Sequence, residues 1–304
     1  MSNAASAVDP KPTSPERPTW LTYLDGRIQE EKRDFDSNVP HYEIIRELLV
    51  ATDHEHDAVP RAIHKFQDLY VSGFAGEDLG MREPPEYAAG AEFGGLAEIV
   101  FNTVGEVPFL DVRHDRLADL LIGIKKASAS EFSPQNPQFV YYGWGLEAAA
   151  AENWNAKQVD GGMQGPRAET LPQCAEEWLS ISALLAKLYK GGLLDRDGPL
   201  WISGDLERAF ESRPVGDIST DLARQAQVLA IANCILIAGE PLAEEVRAPS
   251  QKRRSEFNQE RWKLWATKLD EAAQAVAEDS NWDIKSRLQM AHDKMVELYP
   301  EISQ

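Results

Sequence analysis

The chain has very little cysteine and no cysteine pattern. Its 304 residues contain two cysteines, Cys174 and Cys234, which lie sixty positions apart in apolar contexts and without a CxxC spacing. A disulfide framework or a zinc site needs more thiols or a closer spacing. We therefore expect both side chains to be reduced thiols in the core of the protein.

Basic residues are scarce as well. Lysine and arginine together number 31, against 50 aspartates and glutamates, which leaves a formal net charge of −19. A surface of this sign is repelled by phosphate backbones and by anionic lipids. The composition therefore argues against nucleic-acid and membrane partners, and the acidity mainly favours solubility.

Long apolar segments are missing too. No run reaches eighteen apolar residues, and the first nineteen residues hold four prolines without an apolar stretch. Neither a membrane span nor a signal peptide is predicted from this pattern. We expect a cytoplasmic protein in which residues 1–19 form a disordered arm. The sequence predicts no oligomeric state.

The chain also lacks the motifs of common enzyme classes. It has no Walker loop, no GxGxxG after a strand, no HExxH, no GxSxG and no paired-carboxylate motif, so we expect no cofactor and no metal. The densest group of metal-ligating residue types is Asp53–Asp57 with His64, at a polar helix boundary. Side chains on such a loop do not converge from fixed elements, and we interpret the group as a solvated turn.

Helical spacing is present from end to end. Apolar stripes at i, i+3, i+4 and i+7 predict helices over residues 42–49, 62–70, 96–104, 117–124, 144–157, 171–189, 205–212, 262–276 and 284–298, the last with a near capping box at Ser280 and Asp283. The one short strand-like stretch, 138–142, would have no partner. The predicted fold class is all-α, an irregular multi-helix bundle of about ten helices.

One predicted helix is apolar on every side. Residues 228–238 read VLAIANCILIA, in which Asn233 alone has a strongly polar side chain. A helix without a polar face must be wrapped by other helices. We therefore predict a buried central helix over about 217–238, ended by Gly239 and Pro241.

Two stretches without periodicity divide the pattern. We predict a single domain over residues 20–304 and leave open a substructure of 20–157 and 171–304. The glycine-rich loop 158–170 would join these parts as a mobile loop or lid. A polar linker with a basic Lys-Arg-Arg run is predicted at 244–255.

Two polar residues in apolar helices are the candidate catalytic groups. Glu98 shares a helix face with Asn102. Facing inward, Glu98 would be desolvated, as a general acid or base requires; facing outward, it would belong to a solvent-exposed stripe. Asn233 must find hydrogen-bond partners in a buried helix, either on a neighbouring helix or on a ligand carbonyl.

Aromatic side chains concentrate around the glycine-rich loop. Rigid aromatic walls beside a mobile loop suit a bulky hydrophobic ligand, although aromatic residues at helical spacing also pack protein cores. The predicted substrate-binding residues are Tyr141, Tyr142, Trp144, Trp178 and Trp201, with Trp154 beside them.

Three segments carry a resemblance to a known family. They read EEWLSISALLAKLYKGG at Glu176–Gly192, VLAIANCILIAGEPL at Val228–Leu242 and FNQERWKLWATKL at Phe257–Leu269. Their order resembles a large, mostly fungal family of all-helical proteins of unknown function. The resemblance implies a helical fold in a fungal cytosol and transfers no catalytic residue. Since such proteins are often encoded beside natural-product pathways, it favours a small-molecule role.

Two functions are consistent with these patterns. The first is binding of a hydrophobic small-molecule metabolite in an aromatic-lined pocket, extending to cofactor-free isomerisation or pericyclic cyclisation in fungal natural-product metabolism. The alternative is a helical protein–protein interaction scaffold without catalytic activity. The scaffold would bind its partner on an acidic concave surface, with an exposed apolar patch and no enclosed pocket.

Overall fold

Eleven α-helices make up the part of the chain that the computed structural model describes, which is residues 17–33, 37–74, 88–131, 141–157, 170–194, 198–212, 216–248, 257–278 and 280–300. They are α1 (Thr19–Glu31), α2 (Val39–Val50), α3 (Ala58–Phe74), α4 (Ala88–Val104), α5 (Val112–Glu131), α6 (Tyr141–Lys157), α7 (Leu171–Lys190), α8 (Gly198–Glu207), α9 (Leu222–Arg247), α10 (Gln259–Ala275) and α11 (Ile284–Leu298). A π-helical turn (Arg208–Ser212) continues α8, and a 3-10 turn (Asn281–Asp283) precedes α11. These ranges contain no strand, and the all-α prediction is confirmed.

Two clusters of buried apolar side chains form the core, and α7 lies between them. The first core is built mainly by α1–α6 and the second core mainly by α8–α11. Helix α7 can serve both because it is apolar on two faces. It places Ile181, Leu184, Leu185 and Leu188 in the first core, and Trp178, Leu179, Ala183, Ala186 and Tyr189 in the second.

Helix α9 is the buried central helix that the sequence predicts. Every residue from Val228 to Ile235 is buried, and α9 packs extensively against α7 and α11. Its start is also ordered by a side chain, because the Asp221 carboxylate accepts a hydrogen bond from the backbone N–H of Arg224. The apolar run therefore marks the interior of the bundle.

The prediction that this helix ends at Gly239 and Pro241 is wrong. The chain remains helical to Arg247 through a kink at Ala238, which has φ −117° and ψ 19°. At the kink, the Lys294 ammonium of α11 donates to the Leu236 carbonyl at 3.0 Å. Because proline bends a helix without ending it when neighbouring groups satisfy its backbone, packing on α11 overrides the local stop signal.

Several other boundaries differ from the predictions. The arm predicted at 1–19 is helical from Thr19, and its first sixteen residues lie outside the described residues. Helix α8 begins at Gly198 rather than at Asp205, with a proline in its first turn. The near capping box is wrong, because the Ser280 hydroxyl donates to the Ala277 carbonyl at 2.8 Å and caps no helix N–H.

The two predicted connecting segments fall mostly where the structure gives no description. Residues 158–169 of the glycine-rich loop and residues 249–255 of the linker, with its basic run, lie outside the described residues. The linker prediction is wrong for its first four positions, because residues 244–247 belong to α9. Helix α7 ends at Lys190, one residue beyond the predicted range of 171–189, and Gly192 after it adopts the left-handed φ of 84° that favours glycine.

Candidate functional site

The predicted aromatic pocket is filled where the structure describes it. Trp154 and Trp201 stack with their ring centroids 5.9 Å apart. The Arg208 guanidinium covers the Trp154 ring at 4.9 Å, and the Trp154 indole N–H donates to Asp205 at 3.1 Å. The void left beside the two rings measures about 10 Å³, which is room for roughly one water molecule. This space does not accommodate a bulky ligand.

Of the other predicted binding residues, only Trp178 has a described side chain, and it does not join this stack. Trp178 is buried in the second core, whereas Trp201 belongs to the first. Tyr141, Tyr142 and Trp144 begin helix α6, and their side chains lie outside the described residues. The described part of the chain therefore does not bring the predicted set together.

The two candidate catalytic residues occupy opposite environments. Glu98 is exposed on α4, as is Asn102, so it lacks the burial that a general acid or base would need, and it belongs to the solvent-exposed stripe. Asn233 is fully buried, and its Oδ1 accepts a hydrogen bond from Nε of Arg287 at 2.8 Å. Its Nδ2 has no hydrogen-bond partner among the described atoms.

The cysteine and histidine candidates show no catalytic arrangement. Burial raises the pKa of the Cys234 thiol, so this side chain stays protonated and is no nucleophile. His54, His56 and His64 are exposed around the turn before α3. Within the described ranges, no three His, Cys, Asp or Glu side chains are grouped to hold a metal ion.

A groove of about 700 Å³ opens in a different place. It lies between the start of α1, the loop joining α4 to α5, the N-terminal half of α7 and the turn before α11. We call it the Trp282 groove, and its lining residues are Thr19, Gly105, Glu106, Pro108, Phe109, Leu110, Gln173, Glu176, Glu177, Ser180, Trp282 and Asp283. Its volume falls in the range typical of small-molecule sites, about 300–1,000 Å³.

The apolar wall of the Trp282 groove comes from three side chains. Phe109 is buried in the second core and lines the groove from within. The next residue, Leu110, is 67% exposed, which is unusual for a large apolar side chain. The Trp282 indole N–H donates to the Glu176 carboxylate on α7, so a hydrogen bond spans the groove from α7 to the turn before α11.

The backbone at Trp282 is strained. Trp282 has φ 61° and Asp283 has φ 51°, both in the left-handed region. Asparagine and aspartate tolerate this region, whereas a bulky residue there is a conformational outlier that costs on the order of 1–2 kcal/mol. Such outliers persist where surrounding structure holds them, and they concentrate at ligand sites.

A buried polar chain anchors the floor of the groove. His114 Nε2 donates to the Ser180 carbonyl at 2.8 Å, and Lys187 Nζ donates to His114 Nδ1 at 2.8 Å. These partners fix the tautomer, because a carbonyl only accepts and an ammonium only donates. Burial, followed by the Lys187 charge, lowers the pKa of His114 to about 4, so the imidazole is neutral near pH 7.

This arrangement is not a serine–histidine pair. The Ser180 hydroxyl donates to the Val107 carbonyl at 2.8 Å, while His114 contacts the backbone carbonyl of Ser180. No base therefore activates the hydroxyl. Sequence reasoning did not single out His114, although a histidine at the start of an apolar helical stripe is a signal for a buried imidazole.

Carboxylates set the charge of the groove. Four acidic residues line it, namely Glu106, Glu176, Glu177 and Asp283, and its described lining contains no lysine or arginine. Arg287 lies at its edge, with its guanidinium 5.3 Å from the Phe109 ring centroid, and its charge interacts with Asp283. The groove therefore combines an apolar wall with a negative rim.

The helical architecture and this groove define an all-α protein with an open, acidic small-molecule-sized site. Residues 98–269 match DUF3632, a family described as proteins of unknown function, and because the match covers more than half of the chain, the protein belongs to this family. The matched range includes the α4–α5 loop and α7, whereas Thr19, Trp282 and Asp283 lie outside it. No curated protein and no solved structure matches the chain.

Within the described ranges, one helix has the length and composition to cross a membrane. This helix is α9, in which 72% of the most apolar eighteen-residue window is buried inside the protein. The central helix of a helical bundle meets the same criteria, as the packing of α9 against α7 and α11 illustrates.

Proposed function

We propose that this protein binds a small molecule with an apolar body in the Trp282 groove. The observation that carries the proposal is a groove of about 700 Å³ whose apolar wall, formed by Phe109, Leu110 and Trp282, is open. The strained backbone at Trp282 adds support, because a fold retains such strain most often where it serves a site. The proposal keeps the predicted class of ligand and moves its site away from the Trp154–Trp201 stack.

The carboxylates of the groove suit acid–base chemistry on the bound molecule. Among its described lining residues there is no activated nucleophile, since the Ser180 hydroxyl donates to a backbone carbonyl. An isomerase or cyclase acting here would use Glu106 or Asp283 to move a proton. Glu98 and Asn233 are not among the lining residues, and we assign them no part in the reaction.

A second candidate function uses the same surface. Leu110, on the loop joining α4 to α5, is 67% exposed, and Val112, the first residue of α5, is 41% exposed. Adjacent exposed apolar side chains beside carboxylates also suit a protein partner. In that case the chain would act as an interaction scaffold, and a polypeptide would occupy the groove.

Native mass spectrometry of the full chain after incubation with a metabolite extract tests the first function. We expect a discrete adduct of a few hundred daltons on the wild-type protein. The Leu110→Gln variant should lose most of this adduct because it removes an apolar wall, and Met290→Gln is the matched control, since Met290 is 53% exposed on α11 outside the groove.

The outcomes separate the two functions. An adduct that both variants retain equally would place the ligand elsewhere and contradict the proposal. A spectrum without adducts, together with co-purification of one stoichiometric polypeptide that Leu110→Gln abolishes, would favour the scaffold instead.

A further inference from the structure

We infer that the ligand of the Trp282 groove carries a positive charge, as a protonated amine or quaternary ammonium group joined to the apolar body. The inference rests on the proposed function and names the ligand class for the same site. It joins two features of the groove, its acidic lining and its aromatic wall.

Three of the four groove carboxylates form no ion pair within the described residues. In the described part of the chain, no lysine, arginine or histidine nitrogen forms an ion pair with Glu106, Glu176 or Asp283. Glu176 accepts only the neutral indole N–H of Trp282. The Arg287 charge at the groove edge interacts with Asp283, so the described protein offsets the negative charge of the groove only in part.

Several carboxylates elsewhere in the protein are paired. Asp25 forms ion pairs with Arg17 and Arg46, and Glu240 pairs with Lys294 at 2.9 Å. The contrast matters because like charges around one concavity raise its negative potential, and a low-dielectric wall concentrates that potential on whatever enters. A cation gains from this field, whereas an anion is repelled.

The aromatic wall suits the same ligand. Phe109 already has a cation near its ring, with the Arg287 guanidinium 5.3 Å from the ring centroid. Both Phe109 and Trp282 line the groove, so their rings can contact the apolar body, and tryptophan is the aromatic residue that attracts cations most strongly. An organic cation can contact the apolar wall with its body and the acidic rim with its charged group at the same time.

Calorimetric titration of the full chain with three naphthalene probes tests the inference. The probes are naphthylmethylamine, naphthylmethanol and naphthoate, which share one ring system and differ in charge. We expect the amine to bind about tenfold more tightly than the alcohol and the naphthoate to bind most weakly, with the differences shrinking as salt is added. Spermine, which has charge but no aromatic body, should compete poorly.

A triple variant links the preference to the carboxylates. Glu106→Gln, Glu176→Gln and Asp283→Asn together remove three charges with little change of shape. The amide of the new glutamine at 176 can still accept from Trp282, and asparagine tolerates the left-handed backbone at 283. This variant should bind the amine and the alcohol about equally, while its affinity for the alcohol stays near that of the wild type.

A second triple variant is the matched control. Glu244→Gln, Glu260→Gln and Glu297→Gln remove the same number of charges from exposed positions outside the groove. The preference for the amine should survive in this variant. Its loss here would attribute the preference to the net charge of the protein and overturn the inference.

The remaining outcomes are equally distinct. If the wild type binds amine and alcohol equally and Leu110→Gln weakens both, the small-molecule function stands and the charge inference fails. Competition by spermine as strong as by the naphthyl amine would also overturn the inference, because charge alone would then account for binding. If no naphthalene probe binds, the inference fails together with the proposed function.

Discussion

The Trp154–Trp201 stack and the Trp282 groove are both built from aromatic residues, but the stack is filled and the groove is open. The stack has two indoles in contact with each other, and it leaves a void of about 10 Å³. The groove has one indole and one phenyl ring that face a space of about 700 Å³. Aromatic density along the sequence therefore does not identify a pocket, because two large rings that meet fill the space between them.

The two regions also differ in how their charges are treated. In the stack, Asp205 accepts from Trp154 and pairs with Arg208, whose guanidinium covers the same ring. In the groove, no described cation forms an ion pair with Glu106 or Asp283, although the Arg287 charge interacts with Asp283 from the groove edge. Charges in a closed region need partners within the protein, because water does not reach them. Charges in an open region can interact with solvent or with a ligand instead.

The largest expected effect comes from opening the closed region. Trp201→Ala should lower the free energy of unfolding by about 3–5 kcal/mol, because it removes a buried ring and leaves a cavity against Trp154. Urea titration followed by circular dichroism measures the change, with Trp201→Phe as the milder control. A loss below about 1 kcal/mol would mean that the stack is not a packed part of the core and would break the comparison.

Acidification should weaken the groove floor next. The pKa of His114 is lowered from 6.5 to about 4 in the folded protein, so between these values the unfolded chain binds a proton that the folded protein excludes. The free energy of unfolding contributed by this group is fully present above pH 6.5 and falls, by up to about 3 kcal/mol, as the pH drops to 4. Urea titrations across this window measure the slope.

Two variants isolate that titration. His114→Gln should remove the His114 part of the slope, whereas His64→Gln, at an exposed position on α3, should leave the slope unchanged. An unaltered slope in His114→Gln would show that other groups cause the acid sensitivity.

The smallest effect on stability is expected at the groove wall. Trp282→Gly should change the free energy of unfolding by less than about 1 kcal/mol, because relief of the left-handed backbone strain offsets the loss of a partly buried indole. The same variant should bind the naphthalene probes much more weakly. Urea titration and calorimetry test the two parts, and a large loss of stability would mean that Trp282 is mainly a packing residue.

Much of the fold could be predicted from the sequence because helices leave a periodic pattern over a few neighbouring residues. The stripe of α7 and the apolar run of α9 repeat at helical spacing, and a helix without a polar face has to be buried. The family resemblance rests on the same segments and is confirmed by the match over residues 98–269. Boundaries fail where tertiary packing overrides a local signal, as at Pro241, where α11 supports a kinked continuation of α9.

The site was less predictable, because it depends on which distant residues meet. Glu98 and Asn102 share one face of α4, as their spacing predicts, but only packing decides that this face is exposed. Asn233 is buried as expected, yet its partner Arg287 lies 54 positions away on α11. The groove is formed by Thr19, the α4–α5 loop, α7 and Trp282. Thr19 precedes the α4–α5 loop by more than 80 positions, and Trp282 follows α7 by more than 80 positions.

By itself the sequence determined the helical class, the buried central helix, the acidic surface and the family. These properties are set by composition and by periodicities of a few residues, which do not depend on how the helices are arranged. The tertiary structure alone decided that Trp154 and Trp201 fill their own pocket and that Phe109, Leu110 and Trp282 leave one open. Whether two side chains fill the space between them or leave it open depends on their positions in the folded protein. Those positions are fixed by long-range packing, and the local sequence pattern does not encode them.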